Sequence, residues 1–237
     1  MQKKSPKITI KFFLNKNVAP VQDDKERDYY PLYVMLIYNR KNTQIRSHFE
    51  DYVYTSLEAV EKESPGLMAF EEKMLRKLVE YIIKYQGEEE FSLNGISKKY
   101  EYLSISIFDA MDAYLTDKLK SFVFSTPNEL SPVLNFDGEG VTALHLFKVA
   151  KLLFKGFTSY LMPTLFDEMK AYEKYLVLFP EPQPKYNFPI VLDWLVGNHQ
   201  KELDDAYLKV FKKKGNDLKY IHSLIDEATW KFEQYVV

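Results

Sequence analysis

Residues 31–49 read PLYVMLIYNRKNTQIRSHF. An apolar run rich in strand formers meets four polar residues, and a strictly alternating run follows. That order specifies a β-hairpin. Residues 31–38 are apolar on both sides, as in a central strand. Pro31 is expected at the first strand position, where no ladder donor is lost. Residues 39–42, NRKN, form the expected turn. In 43–49, Thr43, Ile45, Ser47 and Phe49 alternate with Gln44, Arg46 and His48, the period of a half-buried strand. Upstream, KITIKFFLN (7–15) sets Ile8, Ile10, Phe12 and Leu14 on one face and Lys7, Thr9 and Lys11 on the other. A polar loop, 16–28, separates it from the hairpin. The expectation is a three-stranded antiparallel sheet with one apolar and one partly polar face.

The hydrophobic period then changes from two to between three and four. In residues 64–87, Leu67, Phe70, Met74, Leu78, Ile82 and Tyr85 recur at helical spacing, between Ser64-Pro65 and Gly87. This helix is expected to cover the apolar face of the sheet. Helical patterns continue over 92–103, 104–123, 141–162, 163–179, 190–215 and 216–237. Residues 125–140 hold two prolines and two glycines and predict a loop. Residues 180–189 hold four of the eleven prolines and predict a stiff connector. The fold class is therefore α+β: a small amino-terminal three-stranded antiparallel sheet (residues 1–60) followed by a mainly helical body (61–237).

Charge is distributed unevenly. Residues 1–50 carry ten Lys and Arg against five Asp and Glu, a balance of +5; the remainder carries 22 against 29, a balance of −7. Such asymmetry points to an anion-binding amino-terminal module. Cysteine is absent, which excludes disulfides, thiolate catalysis and Cys-ligated zinc. No apolar run approaches the roughly 20 residues that span a bilayer, and the basic start lacks a signal-peptide apolar stretch. A cytoplasmic protein without membrane association is expected.

The segments ITIKFFLN, YPLYVMLIYNRKNTQIRSHF and LMAFEEKMLRKLVEYI follow one another as strand, polar loop, strand, turn, strand and long helix. This order resembles the arm-type DNA-binding domain at the amino terminus of Bacteroidetes-type tyrosine recombinases. ISIFDAMDAYLTDKLKSF is similar to the start of their core-binding domain. The resemblance covers residues 7 to about 120 and rests on patterns rather than invariant residues. It implies that the polar sheet face docks on duplex DNA, with Lys7, Lys11, Arg40, Lys41, Gln44, Arg46 and His48 as candidate contacts. Lys and Arg would pair with phosphates, and Gln44 or Arg46 would read base edges.

The family's catalytic domain is not matched. It needs two arginines on the scissile phosphate, where negative charge grows in the transition state. Arg27, Arg40, Arg46 and Arg76 are the only arginines in the chain, so nothing after Arg76 can supply that pair. Recombinase activity is therefore not expected.

Other chemistry has little support. His48, His145, His199 and His222 show no metal-ligand spacing, and HExxH, P-loop, GxGxxG and GxSxG motifs are absent. His145 lies in an apolar periodic stretch and is expected to be a satisfied or boundary residue. His199 follows WLVGN and is expected to be exposed. NFDGEG (135–140) lacks the alternating ligands of a calcium loop. Carboxylates such as Asp109, Asp112, Asp204 and Asp205 are expected on wet helix faces. Trp194, Phe211, Trp230 and Tyr235 are expected to close the core. No cofactor and no metal are expected. Three readings stand: a non-catalytic DNA-binding or DNA-associated protein, a protein-interaction or structural module, and an enzyme of unrecognised class.

Overall fold

The computed structural model describes residues 8–47, 53–125, 141–153, 163–180, 186, 188–212 and 215–233. They fall into two compact units, one ending at Ser104 and one beginning at Ile105. The expected division at residue 60 follows the change of hydrophobic period, whereas these units divide after three helices.

The first unit is built on five antiparallel strands, not three: β1 (Thr9–Leu14), β2 (Val21–Gln22), β3 (Asp28–Tyr38), β4 (Lys41–Arg46) and β5 (Val53–Tyr54). All four others pair with β3. β1 and β4 pair with its second half, and the two-residue strands β2 and β5 pair with its first. Two residues are too few to show a period, which is why β2 and β5 escape a pattern search. β3 also starts earlier than Pro31. The proline is tolerated inside it because the ladders change there: β1 pairs from Leu32 and β4 from Tyr33 onward, and Asn15 N donates to Pro31 O at 3.1 Å.

Alternation sorts the sheet. Leu32, Val34 and Leu36 of β3 and Ile45 of β4 are buried on one face. Three helices complete the unit: α1 (Leu57–Glu63), α2 (Leu67–Gln86) and α3 (Ile96–Leu103). α1 has one buried side chain, Val60, so no periodic stripe announces it. Its start is marked by Ser56, whose hydroxyl accepts from Ala59 N at 3.1 Å. α2 buries Leu67, Met74, Leu78 and Ile82 of the stripe read from the sequence, with Leu75 beside them; Phe70 is half-buried and Tyr85, expected to face inward, is 61% exposed. It is tied to the sheet by Arg76, whose Nη1 donates to Ile8 O at 3.1 Å.

Glu71 of α2 is wholly enclosed. Tyr100 OH of α3 donates to its Oε1 at 2.8 Å. Burial pushes its carboxyl up to about 7, against the smaller opposing effect of the Tyr100 hydrogen bond. Its Oε2, like the Ser47 hydroxyl, has no hydrogen-bond partner among the described residues.

The second unit is helical: α4 (Ile107–Ser125), α5 (Ala143–Leu153), α6 (Pro163–Leu178), α7 (Val191–Leu195), α8 (Asn198–Phe211) and α9 (Asn216–Glu233). Met111, Leu115, Leu146, Met169, Tyr172, Trp194, Leu203, Ile221 and Ile225 belong to its core. Ser106 caps α4, accepting from Asp109 N at 2.9 Å and donating to the Asp109 carboxylate at 2.6 Å. Asp112 is not on a wet face. It accepts from Ala143 N and Tyr172 OH, both at 2.8 Å, and so joins three helices.

One helix expected over 190–215 is two. Gly197, at φ 81°, reverses the chain between α7 and α8 in a conformation that glycine adopts without a Cβ clash. That turn also overturns the expected exposure of His199, which is completely buried. Trp230, by contrast, is 66% exposed. It lies off the stripe of Leu224, Ile225, Ala228 and Phe232 that faces the core. Tyr235 and the segment 126–140, with NFDGEG in it, lie outside the described residues. Among the described residues no helix is long and apolar enough to cross a membrane.

Candidate nucleic-acid interface

The register of the sheet decides which polar residues share a surface. Opposite the buried face, three cross-strand rows run Thr9–Ile37–Asn42, Lys11–Met35–Gln44 and Phe13–Tyr33–Arg46. Lys11 and Gln44 thus flank Met35 in one row, with Arg46 in the next. Lys11, Asn42, Gln44 and Arg46 are exposed, and no row contains a carboxylate. Phe13 and Tyr33 are half-buried with ring centroids 5.9 Å apart, a tilted pair beside Arg46. The same alternation that picked out Lys11 and Arg46 also assigns Phe13 and Tyr33 to this face, as odd-numbered neighbours of Lys11 and Met35.

Lys41 departs from this group. The connection is a two-residue turn, Asn39–Arg40, so Lys41 is the first residue of β4 and pairs with the buried Tyr38. It therefore sits on the opposite side from Gln44 and Arg46. There it lines a pocket of about 380 Å³ with Tyr38, Phe91, Leu93, Glu88 and Glu89. A basic band running without a break from Lys11 through Lys41 to Arg46 is not what the register builds. Lys7 and His48 lie outside the described residues.

The turn has both central residues at positive φ, 47° for Asn39 and 64° for Arg40. This is the type I′ geometry that matches strand twist, and Asn suits its first position. The second position favours glycine. An arginine held there costs about 1 kcal/mol in clash between Cβ and the backbone.

The four arginines divide by role. Arg27 Nε donates to Asp23 at 2.7 Å, and Arg76 binds Glu72 at 2.7 Å as well as Ile8 O. The side chains of Arg40 and Arg46 make no hydrogen bond or ion pair among the described residues, nor do those of Lys11 and Gln44. Among the described residues, two arginines are used internally and the two on the hairpin are left available. A free guanidinium retains its planar fork of donors for a phosphate or a guanine edge.

The second unit offers a contrasting cluster. His199 lies among the rings of Tyr175, Phe179 and Trp194. With its proton on Nδ1 the ring donates to Glu202 at 3.2 Å and accepts from Tyr175 OH at 3.1 Å. Burial holds His199 below its ordinary value, against Glu202, so it is neutral at pH 7. His222 Nε2 meets Asp204 at 2.9 Å, and Trp194 Nε1 donates to Asp226 at 2.8 Å. A histidine without exposed surface has no access to a substrate, and these groups satisfy one another as core polar residues do. His145 is paired locally, its Nδ1 3.1 Å from the Thr142 hydroxyl. Among the described residues no group of His, Asp and Glu is arranged to hold a metal ion.

Comparison with known proteins finds no counterpart: no protein-family model, curated protein or solved structure matches the chain.

Proposed function

We propose that the amino-terminal unit binds duplex DNA through the outer face of its sheet, without catalysing a reaction on it. The observation that carries this reading is the placement of Lys11, Gln44 and Arg46 in adjacent cross-strand rows that hold no carboxylate, their side chains without partners among the described residues. Cations that a fold does not neutralise are the electrostatic requirement for phosphate contact, and a row containing glutamine supplies paired donor and acceptor atoms for a base edge. The positive balance of residues 1–50 and the resemblance of the hairpin to arm-type DNA-binding domains support the same reading. The absence of arginine after Arg76 argues against tyrosine-recombinase cleavage of that DNA by this chain.

The test is fluorescence anisotropy of a labelled mixed-sequence duplex at about 50 mM salt, where the electrostatic contribution is strongest. The native chain is expected to bind at micromolar concentration or tighter, and the double variant K11E/R46E to bind more than about tenfold more weakly. Both sites are exposed on strands, so circular dichroism should be unchanged. Absence of binding by the native chain, or an unaffected double variant, would refute the proposal.

A further inference from the structure

We infer that Arg40, at the strained tip of the β3–β4 hairpin, is a phosphate clamp distinct from the sheet face, an assignment that rests on the DNA-binding reading above. Arg40 occupies the turn position where glycine is favoured, at φ 64°. Strain of this kind persists where something else requires the residue. Nothing described within the fold does, because the guanidinium makes no hydrogen bond or ion pair among the described residues. The neighbouring Lys41 is turned to the other side of the sheet, toward Glu88 and Glu89, so it cannot substitute.

For strands laid across a major groove, the spacing of Arg40 and Gln44 favours phosphate over base. Gln44 lies four residues from Arg40, about 13 Å along a strand. A major groove is about 12 Å wide, so its wall stands about 6 Å from its centre. With the strands laid across the groove and Gln44 over the base edges, the tip overhangs the phosphodiester backbone. An arginine there meets phosphate oxygens with a planar fork that suits them. The contact carries no sequence information and anchors the register of the face that does.

Two full-length variants test this. R40G removes the charge and relieves the turn; R40Q removes the charge and keeps the strained residue. Both are expected to bind mixed-sequence duplexes about tenfold more weakly at about 50 mM salt, as for loss of one charged hydrogen-bonding contact. The slope of log K against log[salt] should shrink by about 0.9, one phosphate's share. The loss should be equal on duplexes of different sequence. Only R40G should raise the melting temperature, by about 2–4 °C.

An unchanged slope in both variants, while K11E/R46E loses binding, overturns the clamp and leaves the face reading intact. A loss confined to one duplex sequence also overturns it, since Arg40 would then read bases. If the native chain binds no duplex, both readings fall together.

Discussion

Replacing Glu71 with glutamine is expected to remove a loss of stability of about 3 kcal/mol that the native protein undergoes between about pH 4.5 and pH 7. The folded carboxyl is raised to about 7 from 4.5, chiefly by burial. Between those values the folded state holds a proton that the unfolded state has released. Stability therefore is fully present below about 4.5, falls at about 1.4 kcal/mol per pH unit, and is lost above about 7. The physical event is ionisation of a carboxyl enclosed by α2, α3 and the end of β4. Glutamine keeps an acceptor for Tyr100 OH, 2.8 Å from Oε1 in the native protein, and cannot ionise. Urea unfolding at pH 5 and pH 8 on both proteins measures the effect. His199 acts in the opposite sense: burial lowers it, so its contribution is present above about 6.5 and is lost as pH falls below that. Subtracting the variant's profile from the native one cancels His199 and isolates Glu71. Identical slopes in the two proteins would show that Glu71 is not a buried acid.

Truncating Trp194 to alanine is expected to cost about 3–5 kcal/mol, the range for removing a large aromatic from a packed interior. Trp194 is 2% exposed and packs beside His199 and His222, and its indole donates to Asp226. Trp194→Phe should cost less, losing the hydrogen bond and part of the ring. Fluorescence makes the measurement direct. The chain has two tryptophans, and Trp230 is 66% exposed, so W230F leaves a single reporter of the interior. Chemical unfolding followed by that emission should show a red shift at a midpoint that W194A lowers when circular dichroism is the probe. A W194A chain as stable as the native one would mean that α7 contributes little to the helical unit.

Much of the architecture was legible because burial imposes a period. The alternation in β1, β3 and β4 and the stripe along α2 each repeat often enough to be read, and the α+β order follows from the change between them. Short elements carry too few residues for that. β2 and β5 have two residues each, and α1 has one buried side chain. Individual burial also resisted prediction. His199 follows a glycine and resembles a loop residue, yet the turn at Gly197 places it against Tyr175. Asp112 was one carboxylate among many until α5 and α6 brought Ala143 N and Tyr172 OH to it.

The candidate interface shows the same division at closer range. Sequence alone determined that Lys11, Gln44 and Arg46 alternate against apolar neighbours, since a strand sends successive side chains to opposite faces. It also determined that no arginine follows Arg76, so the arginine pair of a tyrosine recombinase is not supplied there. Only tertiary pairing decided which residues stand together. A two-residue turn, and not a four-residue one, sets Lys41 opposite Tyr38 and removes it from the polar face, because a cross-strand partner shares its neighbour's side of the sheet. The same pairing puts Phe13 and Tyr33 beside Arg46, and long-range contacts occupy Arg76 with Ile8 O while leaving Arg46 free among the described residues. Which charges a fold consumes depends on residues far apart in sequence, and that is settled by packing, not by local pattern.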